Sequence, residues 1–286
     1  MLLTDGIING VILGGVYSFT VLGVAFIYGI SGIPQFAIGA VGVFAGFLVW
    51  SLQSTVGIEL AILIALVSCF VLGFLIHALL LNPIRKRGGN FNAFFLVTFS
   101  IALILTGITL RFFPRTQVAI SIPTIPISIA GFATDALQMS GIFITLAILI
   151  SIHVFTEKTN TGKSWKATSQ NLQLAELSGI NTDLVFCVIS GIGCVLGALT
   201  GIFWGALYLL TSEQGWSLTF TGFIIAVVGG IGNIKGSFVS ALLMGFVVSF
   251  AGLLVGGVWQ SVVLYLVFVV VLQLFPKGVL RSERSV

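Results

Sequence analysis

Apolar positions fall in unbroken runs of about twenty residues, separated by short polar or glycine-containing joints, along nearly the whole chain. Each run is long enough to cross a hydrocarbon core of roughly 30 Å as a helix. The candidate spans are 6–30, 34–54, 58–81, 91–110, 138–156, 183–210, 218–232, 237–255 and 259–275. Boundary error leaves a count of about eight to ten. The runs are continuously apolar and lack the alternation, about ten residues at a time, that a membrane barrel requires. The expected fold is therefore all-α: a polytopic transmembrane helical bundle, a single domain over residues 1–286, with some spans discontinuous. No basic region and no small-residue cleavage site precede the first run, Gly6 to Ile30, so it is expected to be a retained span.

Composition agrees with lipid as the solvent. Hydrophobic residues make up 58% of the chain and charged residues 7%, with a mean hydropathy of +1.20, whereas a soluble domain carries roughly a quarter charged. The basic pI of about 9.2 does not point to nucleic acid, because the cations lie in short loops between spans, where they set topology. With alternating spans, Arg85, Lys86, Arg87, Lys158, Lys163, Lys166, Lys235, Lys277, Arg281 and Arg284 share one side, ten of the twelve basic residues. Arg111 and Arg115 fall opposite, with Asp5, Glu59, Asp135 and Glu213. This map puts the N-terminus outside and the C-terminus in the cytoplasm. It also puts the proline-broken loop "RFFPRTQVAISIPTIPISIAGFATDALQ" outside, either as a partner or entrance surface or as a passive cap over the helix ends.

Thirty-five glycines allow close helix approach and bending, and two stretches concentrate them with helix-breaking chemistry. In "YGISGIPQFAIGA", Gly29, Gly32 and Pro34 interrupt an apolar run and leave Ser31 and Gln35 at the break. In "VVGGIGNIKGS", Gly229, Gly230, Gly232 and Gly236 surround Asn233 and Lys235. Non-helical backbone at membrane depth survives where protein or a water-filled cavity satisfies it, and such breaks mark solute paths in transporters; the second stretch is equally compatible with a plain cytoplasmic turn. Both share a loose G-I-x-G-x-I pattern, which is either an internal repeat or a chance match. The polar residues within spans are mild, and each can serve simply to bond a neighbouring helix. As a set, Asn9, Tyr17, Ser18, Thr20, Tyr28, Gln35, Thr98, Ser100 and Thr106 suit a path for a small neutral or zwitterionic solute, and Asn9, Tyr17, Ser31, Gln35, Thr98 and Ser100 are expected to line it.

The chain shows no chemistry of its own. "TGKS" at Thr161 to Ser164 imitates the end of a nucleotide-binding P-loop, but that motif needs a glycine where Glu157 stands and a strand before it. ATP, Mg and any other cofactor are therefore not expected on this chain. His77 and His153 lie far apart and read as neutral interfacial residues. Cys69, Cys187 and Cys194 sit in apolar runs without metal spacing and read as small buried hydrophobes. Every Asp and Glu falls in a loop or at a span end, so proton or sodium coupling through buried carboxylates is not expected.

The longest polar stretch is "EKTNTGKSWKATSQNLQLAELSGINTD", residues 157 to 183. As one helix from Ser164 to Ser178, it would present Trp165, Leu172, Leu174, Ala175 and Leu177 for apolar contact and keep Ser169, Gln170, Asn171 and Gln173 wet. Gly179 would end it and Asn181 to Asp183 would open the next span. About fifteen helical residues are marginal alone in water. The stretch therefore either packs on a partner or lies along lipid headgroups through Lys158, Lys163 and Lys166.

Four pieces in order, "NGVILGGVYSFTVLGVAFIYGISGIPQFAIGAVGVFAGF", "LVTFSIALIL", "KATSQNLQLAELSGIN" and "FIIAVVGGIGNIKGSFVSALLMGFV", resemble the H-type permease subunits of branched-chain amino acid ABC importers. The most specific positions are Ala167, Gln170, Ala175, Gly179, Ile180 and Asn181, and the turn with Gly229, Gly230, Gly232 and Gly236. The chain departs from the family's N-F-A-H-G motif, reading Gln35, Phe36, Ala37, Ile38, Gly39. The resemblance implies a bacterial or archaeal cytoplasmic membrane complex. Its parts would be a second permease subunit, related or identical, two cytoplasmic ATPases carrying ATP and Mg, and an extracytoplasmic solute-binding protein. In such a complex the loop at about 157–182 would be a coupling helix, with Trp165, Ala167, Gln170, Leu172, Ala175, Leu177 and Gly179 at the ATPase contact. Branched-chain or other amino acids are the implied solutes, although the family also serves urea, short amides and aromatic acids. A self-sufficient channel and a non-transporting scaffold are the competing classes.

Overall fold

The protein is described as a computed structural model over residues 2–123, 126–129, 132–275 and 278–279. Its helices are α1 (Leu2–Ser31), α2 (Ile38–Val56), α3 (Ile58–Ile76), α4 (Asn82–Lys86), α5 (Phe91–Phe112), α6 (Ala136–Lys158), α7 (Asn160–Gln170), α8 (Leu172–Leu177), α9 (Thr182–Leu207), α10 (Gln214–Gly229), α11 (Ile234–Leu254) and α12 (Gln260–Leu274). Strands β1 (Pro126–Ile129) and β2 (Phe132–Asp135) form one antiparallel hairpin. Among the described residues, eight helical segments are long and apolar enough to cross a membrane. The fold is the expected polytopic helical bundle.

Several boundaries differ from the sequence expectation. The span placed at 58–81 runs on to Lys86, because α3 passes through a π turn at His77–Leu81 into α4 without leaving the helix. The segment placed at 218–232 is α10, shifted towards the N-terminus and 16 residues long. At 1.5 Å per residue that is about 24 Å, short of a full crossing. The loop read as merely broken contains the β1–β2 hairpin. Upstream of it, Val118 exchanges backbone hydrogen bonds with Leu210 at 3.1 and 2.9 Å, and Ile120 N–H donates to Gly205 O at 2.8 Å. The loop is thus stitched over the end of α9.

Helix α1 is the axis of the bundle. Over its most apolar window 94% of residues are buried, against 11% for α6 and 6% for α12. It packs chiefly on α11 and α9, and also on α10 and α6. Gly6, Gly10 and Gly14 lie against Phe250, Phe246 and Leu242 of α11, and Gly245 returns the contact against Gly10 and Gly14. Small residues at these positions let two backbones close on each other, the usual basis of helix association in lipid. Within the seam of α1 and α9, Thr20 Oγ1 donates to Thr200 Oγ1 at 2.8 Å.

Candidate functional site

The first glycine stretch is a break in the fold. Helix α1 ends at Ser31, Gly32 turns with φ +70°, and residues 32–35 are non-helical. Pro34 supplies no N–H to extend a helix. Ile38, the first residue of α2, packs its side chain on Gly23 and its carbonyl against Gly197. The chain therefore climbs back eight residues along α1 before α2 begins, about 12 Å at helical rise. Gly39 lies against Gly215 and donates its N–H to Thr219 Oγ1 at 3.1 Å, so α2 and α10 meet at this depth.

The second stretch breaks the chain as well. Helix α10 stops at Gly229, Gly230 and Gly232 have φ of +92° and +87°, and α11 starts at Ile234 with Asn233 capping Gly236 N–H at 3.1 Å. The two breaks face each other, since a Cβ on Gly29 would lie 2.9 Å from the Gly232 carbonyl. Three of the residues assigned to the breaks are helical. Gly29 lies inside α1, Gly229 is the last residue of α10 and Gly236 lies inside α11, where Gly229 and Gly236 pack on each other's carbonyls. Their lack of a side chain serves close contact, whereas Gly32, Pro34, Gly230 and Gly232 make the turns.

Of the polar candidates, three gather at the first break. Ser31 donates to Ile27 O at 2.7 Å and accepts from Ile33 N–H at 3.2 Å. Thr98 of α5 donates to Pro34 O at 3.1 Å, tying α5 to the break. Gln35 is 2% exposed, and its amide meets only the weakly bonding Cys194 thiol, with no stronger hydrogen-bond partner among the described residues. The other three lie elsewhere. Tyr17 is buried and stacks on Trp204 at 6.2 Å. Asn9 is exposed near the opposite end of α1, and Ser100 is exposed on α5, bonded to Leu96 O at 2.8 Å.

The polar stretch at 157–183 forms two helices where one was expected. Thr159 caps α7, its Oγ1 accepting from Gly162 N–H at 2.9 Å. Gly162 is pressed against the Phe155 carbonyl at this corner, where a Cβ would collide, so the "TGKS" glycine has a packing role. Asn171 then adopts extended backbone and its Oδ1 accepts from Leu174 N–H at 3.1 Å, ending α7 and starting α8. Gly179, at φ +81°, closes α8 with Gly179 N–H to Glu176 O at 3.0 Å and Ile180 N–H to Ala175 O at 3.1 Å, the Schellman pattern. Asn181 caps α9 through Leu184 N–H at 3.1 Å.

The apolar residues of this element divide into two sets. Trp165, 4% exposed, is clamped between Phe26 of α1 at 5.8 Å and Phe155 of α6 at 4.8 Å, and Ala175 is buried. These two hold the element to the bundle and are not available to another protein. Ala167 is half-buried, Gln170 is exposed, Leu174 and Leu177 point away from the bundle, Leu177 at 85% exposure, and the less exposed Leu172 faces the cleft between α8 and the bundle.

Sequence reasoning missed the joint beneath α8. Asp183 accepts from Arg85 and also pairs with Lys86 at 2.7 Å, Thr182 Oγ1 donates to Glu176 Oε1 at 2.8 Å, and Arg85 lies 4.3 Å above the Phe186 ring. These contacts join α4, α8 and α9 around a cavity of roughly 500 Å³ that Leu172 also lines. Next to it, at the π turn, His77 is buried with both ring nitrogens unpartnered among the described residues. The opposite signs of Arg85 and Asp183 were legible, but they are 98 positions apart and only the fold brings them together.

The description "Branched-chain amino acid transport system / permease component" matches residues 6–272. The high-affinity branched-chain amino acid transport system permease protein LivH of Salmonella typhimurium is 24% identical over 95% of this chain and 93% of its own length. The corresponding protein BraD of Pseudomonas aeruginosa is 25% identical over 96% and 94%. In fold, the chain is similar to one from PsaBC of Streptococcus pneumoniae, solved in complex with Fab, with a TM-score of 0.50, 15% identity and coverage of 97% and 93%. With the match spanning both glycine breaks and the α7–α8 element, the chain belongs to the family of permease components of branched-chain amino acid transport systems.

Proposed function

We propose that this chain forms one half of the translocation path of an ATP-driven amino acid importer, most plainly for branched-chain amino acids, and that it carries no ATPase chemistry itself. The relatives' names support the solute class. ATP and Mg belong to two cytoplasmic ATPase subunits, a second permease subunit completes the path, and an extracytoplasmic binding protein delivers the solute. The N-terminus faces out. Gln35, Thr98 and Ser31 at the first break line the path, which continues past Tyr17 towards Asn9, with Ser100 turned to the second subunit.

The observation that carries this reading is α8. It is a rigidly capped six-residue helix that offers Leu174 and Leu177 to solvent while ion pairs at its root grip α4 and α9. A monomer gains nothing by exposing two leucines on a polar segment. A groove on an ATPase accounts for them, and force applied there reaches α9 directly. The contact then comprises Leu172, Leu174, Leu177 and Gln170, with Trp165, Ala167, Ala175 and Gly179 shaping the element from behind.

Leu177→Asp places a charge in that groove, where it must be desolvated. ATPase association and solute-stimulated hydrolysis are expected to fall at least tenfold while the permease still inserts. Unchanged association would make the segment a surface loop.

A further inference from the structure

Gln35 presents a chemical problem that its own chain does not solve. A primary amide offers two N–H donors and a carbonyl acceptor, and among the described residues these buried atoms meet nothing stronger than the Cys194 thiol. Leaving such a group poorly satisfied is unfavourable, which a leucine or methionine here would avoid. Because Gln35 is enclosed by its own chain, neither lipid nor a second subunit reaches it in this conformation. A full set of partners for the amide must come from outside this chain.

The surroundings indicate what arrives. Three residues on, α2 begins at depth, and a 19-residue helix concentrates partial positive charge at its N-terminus. The cap position is Ala37, which has no side-chain oxygen to offer, and within the first turn the Gly39 N–H is already taken by Thr219 Oγ1. Half-helix N-termini at mid-membrane receive anionic groups of solutes. Beside the amide, Phe36 packs on Phe95 of α5 and Phe223 of α10 at 4.9 Å each, an apolar wall next to a polar point.

We infer that Gln35 and the N-terminus of α2 form the subsite that reads the head group of a zwitterionic apolar amino acid during passage. The carboxylate takes the Gln35 N–H donors and the end of α2, the ammonium takes the Gln35 carbonyl, and the side chain lies along Phe36. A urea-like neutral solute would satisfy the amide but leave the helix terminus unused. An inorganic anion would leave the amide carbonyl unused. This assignment rests on the importer reading and adds to it where the solute is recognised.

The test uses the complete complex in proteoliposomes, with radiolabelled leucine uptake and binding-protein-stimulated ATP hydrolysis measured together. Gln35→Met is expected to lower uptake at least tenfold, keep stimulated hydrolysis within twofold, and raise the thermal stability of the permease, since it removes a poorly satisfied amide. A merely structural glutamine would lower uptake and stability together, and that result overturns the assignment. Gln35→Glu installs a resident carboxylate at the helix terminus and is expected to block uptake as well. Uptake within twofold of the parent in either variant also overturns it, leaving the importer reading intact. A parent complex that hydrolyses ATP but takes up no leucine would overturn the amino acid reading and this subsite with it.

Discussion

A Cβ on Gly201 would occupy the position of the Gly42 carbonyl, so α2 and α9 touch backbone to backbone there, and the nearby Gly197 admits the Ile38 carbonyl in the same way. Gly107 of α5, by contrast, has nothing within 4 Å of where its Cβ would stand. Overpacking a tight contact costs about 1–3 kcal/mol. Gly201→Ala should therefore lower the thermal stability of the detergent-solubilised permease and its yield from membranes, whereas Gly107→Ala should match or slightly exceed the parent. Equal stabilities would mean that α2 and α9 move apart at no cost. At this scale the sequence announces glycine abundance but not which glycines are contacts. Gly29 and Gly236 look like breaks in the chain and prove to be contacts, because a helical glycine that admits a neighbour and a turn glycine with positive φ are the same letter.

At the scale of elements, the joint of α4, α8 and α9 decides whether motion of α8 is transmitted. Asp183 serves two cations that differ in exposure, Arg85 at 18% and Lys86 at 66%. Removing the shared carboxylate in Asp183→Asn leaves a mostly buried guanidinium short of a partner, a loss of about 1–3 kcal/mol. Lys86→Gln removes an exposed pair worth less than about 1 kcal/mol. Uptake is expected to fall severalfold in the first variant and stay near parental in the second, with ATPase association measured by co-purification unchanged in both. Equal effects would show that Arg85 is not the transmitting partner. Most helices were legible because hydropathy alone specifies a span. The two failures at this scale have local causes. Asn171 looks like one more wet residue on a helix face, but its side chain caps the following turn and so ends the helix it seemed to continue. The π turn at His77–Leu81 is written in one histidine and four apolar residues and leaves no periodic trace.

For the whole molecule, the charge map and the fold agree on which loops share an end. Arg85 and Lys86 meet Asp183, Lys166 meets Glu157 at 2.8 Å, and Lys235 lines a cavity with His153 of α6. Val279 N–H bonds Val228 O at 2.8 Å, which brings the end of the described chain to the same side, while Lys277, Arg281 and Arg284 lie outside the described residues. Reporter fusions are expected to place residues 86 and 165 in the cytoplasm and residue 125, itself outside the described residues, on the outer side. A cytoplasmic signal from residue 125 would invert the assignment for every span. The same contacts set a timetable for biosynthesis. Helix α1 leaves the ribosome well before α11, yet its glycine face fits α11, whose first residue comes 203 positions after the last residue of α1. At typical elongation rates that interval lasts roughly 10–40 s. For that time the central helix of the finished bundle sits in lipid with its main partner not yet made, so chains stalled before α11 should be the preferred prey of membrane quality-control proteases.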